Sequence, residues 1–144
     1  MQLIDTHTHV YLPEFDADRD EVVARAVSNG VVILLMPNID ARSVEKMLDV
    51  KERYPGICLP MTGLHPGSVK NDYQSQLDHI LELSSGFSPI AIGEIGIDLY
   101  WDKTYIKEQI IAFREQVAFA LQTDLPLVIH SRDSIHEIFR VLEE

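Results

Sequence analysis

Val31-Val32-Ile33-Leu34-Leu35-Met36 is an unbroken apolar run. A strand with one wet face alternates apolar and polar residues, so a run without alternation predicts a parallel strand covered on both faces. Its flanks carry a different period. Residues 18–29 place Val22, Val23, Ala26 and Val27 on one helical face, with Asp18 and Glu21 as a capping box. Gly30 stands just past that helix, where a left-handed residue is wanted. Residues 41–54 repeat Val44, Met47, Leu48 and Lys51 at helical spacing until Pro55-Gly56 stops them.

The same alternation extends along the chain. Further strands are predicted at 2–6, within 57–63, at 90–93 and at 127–130. Helices are predicted at 73–84, on Leu77, Ile80 and Leu81, and at 104–122, on Ile106, Ile110, Phe113, Val117 and Leu121. A last helix begins at Ser134, with Glu137 as its capping-box partner and Ile135, Ile138, Phe139 and Leu142 as its core stripe. Strand-then-helix units in series predict an α/β fold with parallel strands and right-handed crossovers. An open doubly wound sheet and part of an eight-fold β/α barrel both fit, and in both, ligands gather at the carboxyl ends of the strands. The first strand is followed by no Gly-rich phosphate loop, which counts against an open-sheet nucleotide-binding fold.

Composition narrows the classes. The 144 residues suit one domain, and 46% hydrophobic residues are enough for a core and too many for disorder. Cys58 is the one cysteine, so no internal disulfide forms; it reads as a small buried residue in a reducing compartment. The first residues carry no secretory signal pattern, and the run 31–36 is far too short to span a bilayer, so a cytoplasmic protein without a membrane partner is expected. The formal charge of −11 argues against broad phosphate-backbone binding. It leaves room for a nucleic-acid substrate held at one point by cations, which would offset part of the acidic excess.

Polar residues cluster at the expected strand ends. His7 and His9, two apart after Leu3-Ile4, point the same way if they lie on a strand, and two imidazoles on one face can grip one metal. Asp5 shares that face and either orients a ligand or ends the strand. Glu94 lies between glycines after an apolar strand, where each carboxylate oxygen can take a cation; a helix cap or rim salt bridge is the plainer role. His130 follows Leu127-Val128-Ile129, and alone it would be a hydrogen-bonded core histidine. Arg132 can clamp a phosphate oxygen or pair with Asp133 or Glu137. His65, before Pro66, can contact substrate or bound water. Asp98, Tyr100 and Trp101 fall in a loop that shapes the rim, where the aromatics either pack or stack on a base. His79 and His136 read as ordinary helical residues.

Asp5-Thr6-His7-Thr8-His9, Gly63-Leu64-His65-Pro66, Ala91-Ile92-Gly93-Glu94-Ile95-Gly96-Ile97-Asp98 and Val128-Ile129-His130-Ser131-Arg132-Asp133, in that order, resemble the TatD-type metal-dependent deoxyribonucleases of the amidohydrolase-like hydrolases. The resemblance implies a TIM-type (β/α)8 barrel, of which this chain holds about the first five βα units. It implies two divalent ions (zinc, manganese or magnesium). His7 and His9 would hold the first, Glu94 would bridge both as the catalytic carboxylate, and His130 would hold the second. The implied activity is hydrolysis of phosphodiester bonds in DNA, often as a 3′ exonuclease, with DNA or a nucleotide as substrate and Arg132 and His65 as substrate-binding residues. Barrels of this type run to about 250 residues, so the expectation is one truncated domain over 1–144. Strands 6–8, with another metal-binding histidine and an aspartate, would then lie outside it. Open sheet edges would invite self-association. Amide or lactone substrates, or an inactive metal-binding fragment, are the competing readings.

Overall fold

The apolar runs fold as strands. The computed structural model describes residues 1–144, in which β1 (Leu3–Asp5), β2 (Val31–Met36), β3 (Cys58–Pro60), β4 (Ile92–Asp98) and β5 (Leu127–Arg132) alternate with α1 (Arg19–Ser28), α2 (Ser43–Arg53), α3 (Tyr73–Ser84), α4 (Ile106–Thr123) and α5 (Ile135–Leu142). Every strand pairing is parallel. β1, β2 and β3 neighbour in that order, as do β4 and β5. Thr62 joins the two groups, its N–H donating to Ala91 O (3.1 Å) and its carbonyl accepting from Gly93 N–H (2.7 Å). The strands therefore follow one another in chain order with no reversal. A doubly wound sheet reverses at a switch point, whereas a β/α barrel does not. The arc is that of a partial TIM barrel.

The helices cover one side. Val23, Leu34, Met36, Val44, Met47, Cys58, Leu77 and Ile80 pack into one core, and Ile92, Ile95, Ile97, Phe113 and Ile138 into a second. The other face of β2, with Val31, Ile33 and Leu35, is only partly covered, and Leu3, Ile4, Val32 and Ile129 are exposed. The expectation that β2 is covered on both faces is thus corrected, because its second face looks into the barrel interior, which these residues leave open. No helix is long and apolar enough to cross a membrane. Cys58 is fully buried, and burial pushes its thiol up to about 11.

Gly30 takes the left-handed conformation expected of it, with φ +92°. Other local readings are corrected. Neither Asp18 nor Ser134 makes a capping hydrogen bond with its side chain, although each stands at the N-cap. The Ser134 hydroxyl instead donates to Ile97 O (2.5 Å) and accepts from Arg132 N–H (3.1 Å), tying α5 to β4 and β5. On α5, Ile138 and Val141 are buried while Ile135, Phe139 and Leu142 are exposed. On α4, the buried face is Gln109, Ala112, Phe113, Gln116 and Ala120, and Leu121 is exposed. Of the expected stripe Phe113 is buried and Ile110 and Val117 pack beside it, but the face is shifted because Gln109 and Gln116 bond buried backbone at Asp98 and Leu64.

Ser134→Ala is expected to destabilise the chain by about 1–3 kcal/mol, since a buried carbonyl and N–H each lose a partner. The urea midpoint measures it, and an unchanged midpoint would show that this tie contributes nothing.

Candidate metal centre

β1 ends at Asp5, whose carboxylate accepts the His7 N–H (3.1 Å) and so both closes the strand and holds the His7 backbone. His7 and His9 therefore lie just past the strand rather than on it. The segment still runs beside β2, with Thr8 N–H donating to Leu35 O (2.9 Å), and the two rings converge. His7 Nε2 and His9 Nε2 are 3.2 Å apart, and they stand 3.1 and 3.8 Å from Glu94 Oε2.

Glu94 sits within β4, not after it. The strand was expected to end at Gly93 but pairs with β5 as far as Asp98, and its register shifts between Gly93 and Ile95. Glu94 is the residue left out of the pairing, and a bulge of this kind re-aims a side chain. Buried Asn38, just past β2, holds the backbone there: Asn38 N–H donates to Gly93 O (3.0 Å), Glu94 N–H donates to Asn38 O (3.2 Å), and Asn38 Nδ2 donates to Gly63 O (2.7 Å). Glu94 Oε1, on the side away from His7, meets His130 Nδ1 (3.0 Å) and His65 Nε2 (3.7 Å). One carboxylate is thereby shared by two histidine groups.

Hydrogen bonds on the far side of the ring fix the neutral tautomers of His9, His130 and His65. The buried Tyr11 hydroxyl donates its one proton to Pro37 O (2.6 Å), so His9 Nδ1 must donate to Tyr11 (2.9 Å) and His9 Nε2 offers a lone pair to the centre. His130 Nε2 lies 3.0 Å from Asp98 Oδ2 and donates to it, which likewise leaves Nδ1 facing inward. His65 is opposite. Its Nδ1 accepts the Gly67 N–H (2.9 Å), so a neutral His65 carries its proton on Nε2 and points a donor into the centre.

The ionisation states agree. Burial lowers His65 to about 4, against the pull of Glu94, so it is neutral at ordinary pH. Burial and the neighbouring His7 lower His9, against Glu94. His130 is raised above its ordinary 6.5 by its hydrogen bond to Glu94, against burial and with help from Asp98. Burial would raise Glu94, but the hydrogen bond to His130 and the neighbouring His65 and His7 rings hold it below the usual carboxylate range. Asp98 is also lowered: burial opposes, but the N–H groups of Tyr100 and Trp101 and the His130 ring prevail.

A raised His130 means that a cation must displace a proton from it. Zinc affinity is expected to climb as pH rises through the His130 pKa and to level off above it. Asp98→Asn removes one of the two carboxylates that favour the proton, so both the His130 titration, followed by NMR in the metal-free chain, and the climb in zinc affinity should move to lower pH. A titration that stays in place would show that Asp98 does not act on His130.

Arg132 stands apart from this cluster. It pairs with neither Asp133 nor Glu137; its guanidinium carbon lies 4.1 Å from the Tyr100 ring centre and 5.1 Å from that of Trp101. His79 and His136 are exposed on their helices, as expected. Sequence reasoning left out Tyr11, Asn38, Gln109 and Gln116 and placed Asp98 only in a rim loop. Asp98 N–H donates to Gln109 Oε1 (2.8 Å), and Leu64 N–H, next to His65, donates to Gln116 Oε1 (2.7 Å). Tyr11 had one signal, the alternation His7, His9, Tyr11. Asp98 had another, its even spacing from Glu94 once both are on a strand.

The donor set fits divalent metal. His7, His9 and Glu94 form one group and His65, Glu94 and His130 another, with ligand atoms within 4.8 Å of one another in each. The His9 Nε2 lone pair, His130 Nδ1 once its proton is displaced, and both oxygens of one carboxylate converge, a donor set that a divalent cation would satisfy. Imidazole with carboxylate suits zinc or manganese.

Residues 4–144 match the family model described as TatD related DNase. The chain is 33% identical over 142 residues to an uncharacterized metal-dependent hydrolase, YabD, of Bacillus subtilis, covering 99% of this chain and 55% of the relative. It is 32% identical to the 3'-5' ssDNA/RNA exonuclease TatD of Salmonella typhimurium, covering 97% and 53%. The crystal structure of YjjV, a TatD homologue from Escherichia coli, superposes with a TM-score of 0.88 at 29% identity, over 98% of this chain and 55% of that one. The chain thus spans about half the length of the curated relatives it matches. With a barrel arc, a shared carboxylate between histidine groups and a match along nearly all its residues, this chain belongs to the TatD family of metal-dependent hydrolases.

Proposed function

We propose that residues 1–144 form one domain carrying a two-cation centre for hydrolysis of phosphodiester bonds in DNA, with release from the 3′ end. The observation that carries this reading is Glu94, one carboxylate placed between His7 and His9 on one side and His130 on the other. His7, His9 and Glu94 would hold one ion, and Glu94 and His130 the other. Divalent ions held there supply charge stabilisation at the phosphoryl oxygens and lower the pKa of the attacking water.

The chain's own groups do the rest. His65, neutral at ordinary pH, points its Nε2 proton into the centre, 3.2 Å from His130 Nδ1, where a substrate oxygen that reached the centre would find a donor. Tyr11 and Asp98 keep the His9 and His130 lone pairs aimed inward. Arg132, free of any carboxylate, is available to a phosphate. The exposed edges at β1 and β5 favour association with further polypeptide, and the buried, unpaired Cys58 suits the cytoplasm.

The test is the chain loaded with zinc, manganese or magnesium and offered 3′-labelled single-stranded DNA beside amide and lactone substrates. Nucleotide release that needs the metal and is lost in Glu94→Gln supports the reading. Turnover of amide or lactone alone would reassign the substrate. Metal binding with no turnover would mark a metal-binding domain instead.

A further inference from the structure

Beside the metal centre lies a cleft of about 240 Å³, lined by Pro66, Gly67, Lys70, Asp98, Trp101 and Gln109 among others. Its floor is shared with the centre, since Asp98 also holds His130. Trp101 is 74% exposed and Tyr100 53%. Neither ring packs over the rim as a buried side chain, which is the ordinary fate of aromatics in such a loop. They are nevertheless held. Tyr100 and Trp101 meet edge to face at 4.8 Å, Arg132 lies against both rings, and both backbone N–H groups donate to Asp98 Oδ1, at 2.9 and 3.3 Å. An exposed aromatic on a fixed backbone keeps its stacking surface at little entropic cost.

We propose that Trp101, braced by Tyr100 and Arg132, is a stacking platform that seats the nucleobase next to the scissile phosphate in this cleft. The proposal rests on the phosphodiesterase reading and names the part of the substrate it grips. Charge favours it. The chain carries −11, and Lys70 of the cleft lining is paired with Asp102 (3.1 Å), which leaves Arg132, beside the aromatics, for a single phosphate. Few phosphate-backbone contacts are on offer, so affinity beyond the metal centre has to come from the base. Every base has a π face, so such a platform is sequence-tolerant. Stacking is also less sensitive to salt than phosphate contacts.

Trp101 is the only tryptophan in the chain, so its fluorescence reports the platform directly. The probes are dAMP and 2-deoxyribose 5-phosphate, which differ by the base, titrated into the zinc-loaded chain. The expected result is saturable quenching by dAMP and none by the sugar phosphate, with a preference that survives raised salt. Trp101→Ala, followed by calorimetry, should weaken dAMP about ten- to hundred-fold, leave the sugar phosphate unaffected, and be partly rescued by Trp101→Phe. Equal affinity for the two probes, no binding of dAMP, or a dAMP preference that survives Trp101→Ala would each overturn the platform. Base-dependent binding by a chain that releases no nucleotide from DNA would sustain the platform while the hydrolytic reading fails.

Discussion

Glu94→Gln is expected to strip from the chain, together, both cations of the proposed two-cation centre. Glu94 Oε2 faces His7 and His9, Oε1 faces His130 and His65, and no second carboxylate reaches both groups. The amide keeps the shape but loses the charge and offers only one oxygen. Orienting partners of metal ligands already change affinity by about 10- to 100-fold, and the loss of a shared ligand should exceed that at both positions. Any metal-stimulated DNA hydrolysis should fall by roughly a thousandfold, the scale of several kcal/mol of charge stabilisation. Elemental analysis after zinc loading measures the first effect, and His79→Gln, on the exposed face of α3, serves as the control that should keep its metal. Loss of one ion with retention of the other would show that Glu94 serves a single position.

Gly96→Ala is expected to be the most destabilising single-methyl addition in the barrel arc. Gly96 has φ +145°, a conformation L side chains rarely adopt, and a Cβ there would overlap the carbonyl oxygen of His130 on the paired strand. That obstacle is backbone, so no side-chain rotation relieves it; β4 and β5 must separate. Overpacking and backbone strain together should cost roughly 3–5 kcal/mol, a large part of a typical net stability. Because His130 lies at the clash, its distances to Glu94 and Asp98 should lengthen and zinc affinity should fall as well. Gly86→Ala is the comparison: its added Cβ comes no closer than 3.4 Å to any neighbour, and its effect should lie within about 1 kcal/mol. Equal urea midpoints for the two variants would contradict the close-approach argument.

The parts of the fold that could be read in the sequence were those set by apolar runs. β2 keeps its predicted bounds, and α3 does as well. What periodicity could not supply was closure, because adjacent strand order separates a barrel from an open sheet and depends on contacts far apart in the chain. The end of β4 was misread because Gly93 and Gly96 resemble turn residues; here they let β4 lie against β5, and the strand runs on to Asp98. The buried face of α4 was misread because Gln109 and Gln116 look solvent-facing until their backbone partners are known. His7, His9, Glu94 and His130, expected together from their strand-end positions and the family resemblance, do converge, while His65 joins them through a turn whose Gly67 N–H decides what its ring can offer. That tautomer follows from a backbone contact, which residue types alone do not encode.

The most direct test of the account is anomalous diffraction from crystals of the chain soaked in zinc. The account predicts one strong peak on each side of the Glu94 carboxylate, one against His7 and His9 and the other against His130. Peaks placed elsewhere, or none at Glu94, would contradict it.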